Sequence, residues 1–311
     1  MDTRKIGPLE VSVVGLGCNN FGGHLDETRT CEVVESALDE GVSLLDTADI
    51  YGGTRSEEFL GRILNGRRDE VVLATKFAME IDEEHPGGGA PGYVRAAVQD
   101  SLRRLRTDRI DLYQLHQPDP ETPIQDTLAV LDELVKEGKV RQIGCSNFSA
   151  EQLREAEAAV EPGAASFVSL QNQLSLLNRA DQDDGLAEAA RLHLAYIPFF
   201  PLYSGLLSGK YRRGQPPPPG TRIGGMPADR AEQFLSEANF DRVEALTAFA
   251  QERGRSLLEL AFAWLLAQDP VASVIAGATS PEQVRANVAA GRWRLEPPDL
   301  KALDDALRSS D

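Results

Sequence analysis

Four side chains that can move protons stand at or beside the ends of apolar runs. Asp46 closes VSLLD, Lys76 closes VVLATK, His116 closes IDLYQLH, and Tyr51 follows Asp46 in DTADIYGG. Buried strands seldom carry ionisable groups, so their recurrence at three successive strand exits asks for a common reason. One pocket, built where the carboxyl ends of parallel strands meet, supplies it. The chemistry such a set suits is carbonyl reduction, which needs a hydride and a proton, the proton coming from an acid held beside the carbonyl oxygen. Tyr51 is the candidate acid. A free tyrosine titrates at about 10, and a neighbouring cation stabilises tyrosinate and lowers that value. Lys76 can be the cation, Asp46 can hold it charged, and His116 can hydrogen-bond the carbonyl oxygen or share a proton with Tyr51. Singly, each has a structural reading: Asp46 as a turn cap, Tyr51 as a surface aromatic, Lys76 as a snorkelling strand end, His116 as a satisfied core histidine. Their coincidence favours a site.

The elements that must position them alternate along the chain. Eight apolar, β-rich runs begin at Val11, Val42, Val71, Ile110, Val140, Phe167, Leu194 and Val271. Between them TCEVVESALDEG, YVRAAVQDSLRRL, TLAVLDELVKEG and DGLAEAARLH place apolar residues three and four apart, which is helical spacing. Gly41 and Gly138 stand where helices should stop, each just before a strand. Regular strand–helix alternation implies parallel strands, and eight units imply a closed (β/α)8 barrel in one domain spanning residues 1–311. Two stretches break the rhythm: Tyr211 to about Leu235, with PPPPG and GGMP, reads as a long surface loop after the seventh strand, and Glu83 to Gly92 as an irregular loop after the third. The segment from Arg253 to Gln268 reads as a very apolar helix, so the last unit holds two helices. The C-terminal PPDLKALDDALRSS reads as a short helix with a polar tail.

The chain has 311 residues, 41% hydrophobic, and a net charge of −17. Such a surface argues against nucleic acid or an anionic membrane as the main partner. Cys18, Cys31 and Cys145 are too few and too scattered for a disulfide framework or a zinc site. The N-terminal sequence lacks a long apolar core, so no secretory signal is expected, and no run approaches membrane-spanning length. A cytoplasmic location is the expectation. GLGCNN lacks the third glycine of a dinucleotide fingerprint, GLLSGKY is one residue short of a phosphate-binding loop, and HExxH and GxSxG do not occur. No catalytic metal is expected.

DTADIYGG, LATK ending at Lys76, YQLH ending at His116 and IGCSNFS resemble the aldo-keto reductase superfamily, in the expected order. The resemblance runs from RKIGPLEVSVVGLG near the start to SPEQVRANV at Val288. It implies a (β/α)8 barrel and NAD(P)H-dependent reduction of an aldehyde or ketone, with a sugar-like or natural-product carbonyl among the possibilities. Tyr51 would be the acid, Lys76 and Asp46 would tune it, and His116 would orient the carbonyl. For the cofactor, Ser146, Asn147 and Gln171 match positions that bind the nicotinamide carboxamide, suitably for groups that offer both donor and acceptor. Phe199 matches the aromatic that stacks on the nicotinamide ring, with core packing as its other reading. Leu202, Ser204 and Leu206 match the loop around the pyrophosphate, with Lys210 beside it. Cys18 and Asn19 match the exit of the first strand, and Asp46 approaches the cofactor as well.

After the eighth strand, Gly277, Thr279, Gln283 and Asn287 match the adenosine end. There the chain departs from NADPH-preferring relatives: Thr279 and Ser280 carry no charge, Gln283 stands where a relative often has Arg, and Arg285 is turned along a helix. A missing charge-assisted contact is worth about 1–3 kcal/mol, for which Arg212 or Arg213 on the long loop would have to compensate. NADPH is the expected cofactor, with NADH close behind. Substrate contacts are expected from Asn20, Phe21, Met79 and Gln117, in loops after strands. A second function carried by the resemblance is an NADPH-binding regulatory subunit, as in potassium-channel β subunits.

Overall fold

The computed structural model describes residues 1–308; the last three positions, where the polar tail was expected, lie outside the described residues. The chain opens with an antiparallel hairpin, β1 (Thr3–Ile6) and β2 (Leu9–Ser12). The barrel strands follow: β3 (Val14–Gly17), β4 (Leu44–Asp46), β5 (Val72–Phe77), β6 (Ile110–Leu115), β7 (Val140–Ser146), β8 (Phe167–Gln171), β9 (Ala195–Tyr196) and β10 (Val274–Gly277). From β3 to β9 each pairs in parallel with the next, and β10 pairs in parallel with β3. A parallel bridge between Tyr196 and Val271, just ahead of β10, closes the cylinder. The expected (β/α)8 barrel is the observed fold.

Helices α1 (Glu27–Asp39), α2 (Arg55–Ile63), α3 (Pro91–Leu105), α4 (Ile124–Lys136), α5 (Ala150–Ala158) and α6 (Gly185–Arg191) connect successive strands. Between β9 and β10 lie α7 (Ala228–Phe234), α8 (Glu237–Glu252) and α9 (Leu257–Leu266), and after β10 come α10 (Pro281–Ala290) and α11 (Pro297–Arg308). Gly41 and Gly138 do end α1 and α4, with φ of +79° and +75°, the left-handed backbone that glycine adopts without a Cβ penalty. Reciprocal capping boxes at Ser149–Gln152 and Ser256–Glu259 satisfy the first amides of α5 and α9. α9 is buried on nearly every side because it is wedged among α8, α10 and β10, which explains why its sequence lacks a polar face. The long segment after β9 is less irregular than expected: α7 folds inside it, and Ile223 is buried with its amide donating to the Tyr211 hydroxyl at 3.2 Å.

The first apolar run turned out to be two strands. Val11 and Ser12 belong to the hairpin, and only Val14 onward enters the barrel. The hairpin buries Ile6, Leu9 and Val11 in one cluster with Leu44, Ala74, Leu112, Ala195 and Ala272 from five barrel strands or their approaches. It therefore plugs the amino-terminal end of the cylinder, while a larger cluster fills the space between strands and helices. If the plug is part of the core, Ile6→Ala lowers unfolding stability by about 2–5 kcal/mol in urea denaturation. A loss within about 0.5 kcal/mol would mean that the hairpin merely lies on the surface.

Candidate active site

The four proton-handling residues meet at the carboxyl-terminal end of the barrel. Asp46 is the last residue of β4, Lys76 the fifth of β5, and His116 directly follows β6. The Lys76 ammonium is fully buried; it donates to Asp46 Oδ2 at 2.7 Å, to the Thr47 carbonyl at 2.8 Å and to the Tyr51 hydroxyl at 3.5 Å. Asp46 Oδ1 accepts from Gln171 Nε2 at 2.9 Å and from Gln114 Nε2 at 3.2 Å. Both carboxylate oxygens are therefore occupied, as a buried charge requires.

Tyr51 reaches this cluster because the β4–α2 loop folds back over the strand ends. Ser56 anchors the loop, its hydroxyl meeting Thr47 Oγ1 at 2.8 Å and the Cys18 carbonyl at 3.1 Å. Gly52 is required at the turn: its φ is +62°, and a Cβ there would sit 2.4 Å from the Phe21 carbonyl oxygen. The Tyr51 ring meets His116 edge-on, centroids 5.9 Å apart, and Lys76 Nζ lies 5.1 Å from the Tyr51 centroid.

Burial and charge set the protonation states. Burial pushes the Tyr51 hydroxyl up more than the Lys76 ammonium pulls it down, so the phenol stays protonated at neutral pH. This differs from the expectation that Lys76 would make Tyr51 more acidic than a free tyrosine: Lys76 limits the cost of tyrosinate, and desolvation decides the direction. Burial also works against the charge on Lys76, but Asp46 and then Tyr51 more than offset it, and its value is raised. His116 is pushed down to about 3 by burial and by Lys76, so its imidazole is neutral.

Asp46, Tyr51 and His116 open onto a cavity of about 900 Å³, with the Lys76 ammonium buried behind them. Of the positions matched to a cofactor, Cys18, Asn19, Asp46, Ser146, Asn147 and Gln171 line its strand-end wall. Phe199, Leu202, Ser204 and Lys210 line one flank, and Gly277, Thr279, Gln283 and Asn287 the far end beside α10. Leu206 does not: it is fully buried in the core beneath that flank. Asn20 and Met79 reach the wall, whereas Phe21 packs fully buried in the core and Gln117 is exposed outside the cavity.

The amides are partly committed. Gln171 directs its donor at Asp46. Asn147, held at φ +61°, spends its donor on the His116 carbonyl at 2.9 Å and Ser146 Oγ at 3.1 Å. The Ser146 hydroxyl donates to the Gln171 carbonyl at 2.7 Å. What Gln171 and Asn147 leave open is their acceptor oxygens. At the far end Gln283 folds back, Oε1 accepting from the Thr279 amide at 2.9 Å, and Arg285 pairs with Glu282 at 2.8 Å.

Two contributors were not read from the sequence. Gln114 is fully buried under Asp46; it lies two residues before His116, and the strand period of two places both on one face. Arg222, from the Pro-rich loop, lines the cavity with its guanidinium 4.9 Å from the Phe200 ring centroid. Among the described residues neither Arg222 nor Lys210 has a carboxylate at ion-pair distance. Arg213 is instead committed to Glu237, Asp241 and Glu244, and neither it nor Arg212 reaches the cavity. No group of three or more His, Cys, Asp or Glu residues suited to a metal ion occurs among the described residues, nor is any described helix long and apolar enough to cross a membrane.

The neutral imidazole makes stability pH-dependent. His116 titrates at about 3 in the fold against an ordinary 6.5, so as pH falls the unfolded chain takes up the proton first and acid weakens the native state across that window. Replacing it in His116→Asn should flatten the fall in the urea midpoint between these two pH values. Parallel curves for the two proteins would contradict a neutral buried ring.

The model of the Aldo/keto reductase family matches residues 13–308. Aldo-keto reductase YhdN of Bacillus subtilis (strain 168) is 34% identical over 320 aligned positions, covering 97% of this chain and 92% of that protein. The uncharacterized oxidoreductase YrpG of the same organism is also 34% identical, covering 96% and 92%. Among solved structures, the glycerol dehydrogenase AKR11B4 from Gluconobacter oxydans superposes with a TM-score of 0.84 at 32% identity, covering 99% of this chain and 96% of that one. A family model spanning nearly the whole chain, on a barrel that brings Asp46, Tyr51, Lys76 and His116 into one cluster beside a cavity, leads to one assignment: this chain belongs to the aldo/keto reductase family of oxidoreductases.

Proposed function

We propose that the protein reduces the carbonyl of a small aldehyde or ketone to an alcohol, with Tyr51 as the general acid and NADPH as the cofactor. The observation that carries this reading is the Tyr51 hydroxyl, protonated and 3.5 Å from the buried Lys76 ammonium, on the wall of a deep cavity. A carbonyl oxygen held there takes its proton from Tyr51, and Lys76 stabilises the tyrosinate left behind. Neutral His116 can donate an N–H to the same oxygen without competing for the proton. Asp46, braced by Gln114 and Gln171, keeps Lys76 charged and still.

The cavity fits a dinucleotide. Lys210 and Arg222 place two unneutralised cations in its wall although the chain carries a net charge of −17, which suits the phosphates of such a ligand. The open acceptors of Gln171 and Asn147 suit the amide hydrogens of a carboxamide, and Phe199 offers a ring face. The bound nicotinamide supplies hydride chemistry. NADH is the second reading, favoured by the uncharged Thr279 and Gln283 at the α10 end. Likeness to a glycerol dehydrogenase makes small polyols and their carbonyl forms the first substrates to test.

Tyr51→Phe should slow nicotinamide oxidation by about two to four decades while the dissociation constant for the cofactor, from fluorescence titration, stays within about twofold of the parent. Equal loss of both would remove Tyr51 from the acid role. Arg222→Met should weaken NADPH binding by about tenfold. Unchanged binding of both NADPH and NADH would exclude Arg222 from the phosphate contacts.

A further inference from the structure

Behind the catalytic cluster lies a second buried acid that the mechanism above does not use. Asp49, in the β4–α2 loop, is 1% exposed, and among the described residues no donor completes a hydrogen bond to either carboxylate oxygen. The adjacent Ile50 amide leans toward it without reaching hydrogen-bond geometry. The hydroxyls of Tyr93 on α3 and Tyr113 on β6 are also buried without a completed hydrogen bond, although the Gly87 backbone leans toward Tyr93, and both feel the Asp49 charge. Three unpartnered polar groups from three elements thus share one region. Its charged neighbours are already committed. Arg104 of α3 donates to Glu57 of α2 at 2.6 Å, Glu57 also accepts from Thr75 of β5 at 2.6 Å, and Lys76 is held by Asp46. Asp82, in the loop after β5, acts on Tyr93 but is itself paired with the His85 ring at 2.7 Å, which holds the imidazole proton up. Arg104 and, more weakly, Lys76 act on Asp49 from a distance, but neither bonds to it, and an ionised carboxylate there would lack direct donors, a state that burial disfavours more than these charges favour it.

We propose that Asp49 is a proton-bearing positioning residue, a neutral carboxylic acid sealed between the Tyr51-bearing loop, α3 and β6, whose ionisation makes Tyr51 a weaker acid. The link runs through Lys76. The Asp49 amide donates to the Lys76 carbonyl at 3.2 Å, and the Lys76 charge acts on the Asp49 carboxyl. That coupling is reciprocal: an ionised Asp49 offsets part of the Lys76 field at the Tyr51 hydroxyl and disfavours tyrosinate. Burial, then Glu57, hold the Asp49 proton up to about 7 against an ordinary 3.8, so the switch falls where a modest pH change operates it. A folded value above the unfolded one means that stability from this group is complete below 3.8 and is lost as pH rises through about 7.

The proposal rests on the reductase reading for its kinetic part only, and the test separates the two. Infrared difference spectra of wild type against Asp49→Asn should show a carboxylic-acid carbonyl band at pH 6 that fades above pH 8 in wild type. The thermal midpoint of Asp49→Asn should gain on wild type from pH 4 to pH 7 and hold that gain above it. In carbonyl reduction, wild-type kcat/KM should fall by about threefold across pH 7, half a pKa unit of weakened acidity, and this limb should vanish in Asp49→Asn. A merely structural Asp49 would shift the thermal midpoint equally at every pH and leave the shape of the rate profile intact, which would overturn the proposal. So would a spectrum without the acid band at pH 6, a measurement on wild type set against its own alkaline form that needs neither turnover nor a stable variant. Failure to reduce any carbonyl, with the band present, would count against the reductase reading and leave the proton on Asp49.

Discussion

The ion pair between Lys76 and Asp46 is the constraint around which the rest of the molecule is arranged. A buried lysine and aspartate gain little net stability from each other, because desolvation consumes most of their attraction. This pair survives through its surroundings. Gln114 and Gln171 reach across from β6 and β8 to one carboxylate oxygen, and the Thr47 carbonyl takes a second ammonium hydrogen. The barrel can seat such a layer because strands on all sides converge at the same height, so side chains far apart in sequence become neighbours. Burial sets the direction in which Tyr51 and His116 shift, and the pair adjusts both: Lys76 eases the cost of tyrosinate and adds to the cost of a charged imidazole.

Left-handed backbone outside glycine is unevenly spread along the barrel axis, with Arg106 and His193 the two cases in loops that lead into strands. The amino-terminal end is closed by apolar packing of the hairpin, with ordinary strand geometry. The opposite end holds several non-glycine residues with positive φ: Ala78, Asn147, Phe200, Tyr203 and Ser204, all in segments after barrel strands. Such conformations persist only where surrounding contacts enforce them, and they gather where side chains must be aimed. Asn147 is the clearest case, its left-handed backbone directing an amide at the His116 carbonyl.

The barrel and its four proton-handling residues were legible because both are written in short patterns: apolar runs of strand length, helical spacing between them, and polar residues at the ends. The hairpin was not separated from the first barrel strand because apolar residues continue from Val11 through Leu16 with only Ser12 and Gly15 between them, although Gly7-Pro8 marks the turn inside it. Phe21 was expected at the cavity from its loop position, and Leu206 from the resemblance of its loop to one around a pyrophosphate. A loop position does not say which way a side chain turns, and both turn into the core. Arg222 had no sequence signal, since one arginine in a Pro-rich loop reads as solvated. The direction of the Tyr51 shift was out of reach for a different reason: a motif names the neighbouring charge, whereas the degree of desolvation belongs to the folded cavity.

The contrast between exterior and cavity has a kinetic side. The dinucleotide proposed above, a polyanion, would approach a body whose net charge is −17 before it met Lys210 and Arg222. At long range the encounter is repulsive, and the attraction is confined to the last few ångströms. Dissolved ions shorten the reach of both fields, with a Debye length of about 8 Å at physiological ionic strength, but they weaken the distant repulsion first. Moderate salt therefore hastens capture of such a ligand, the reverse of what a basic nucleotide-binding surface would do.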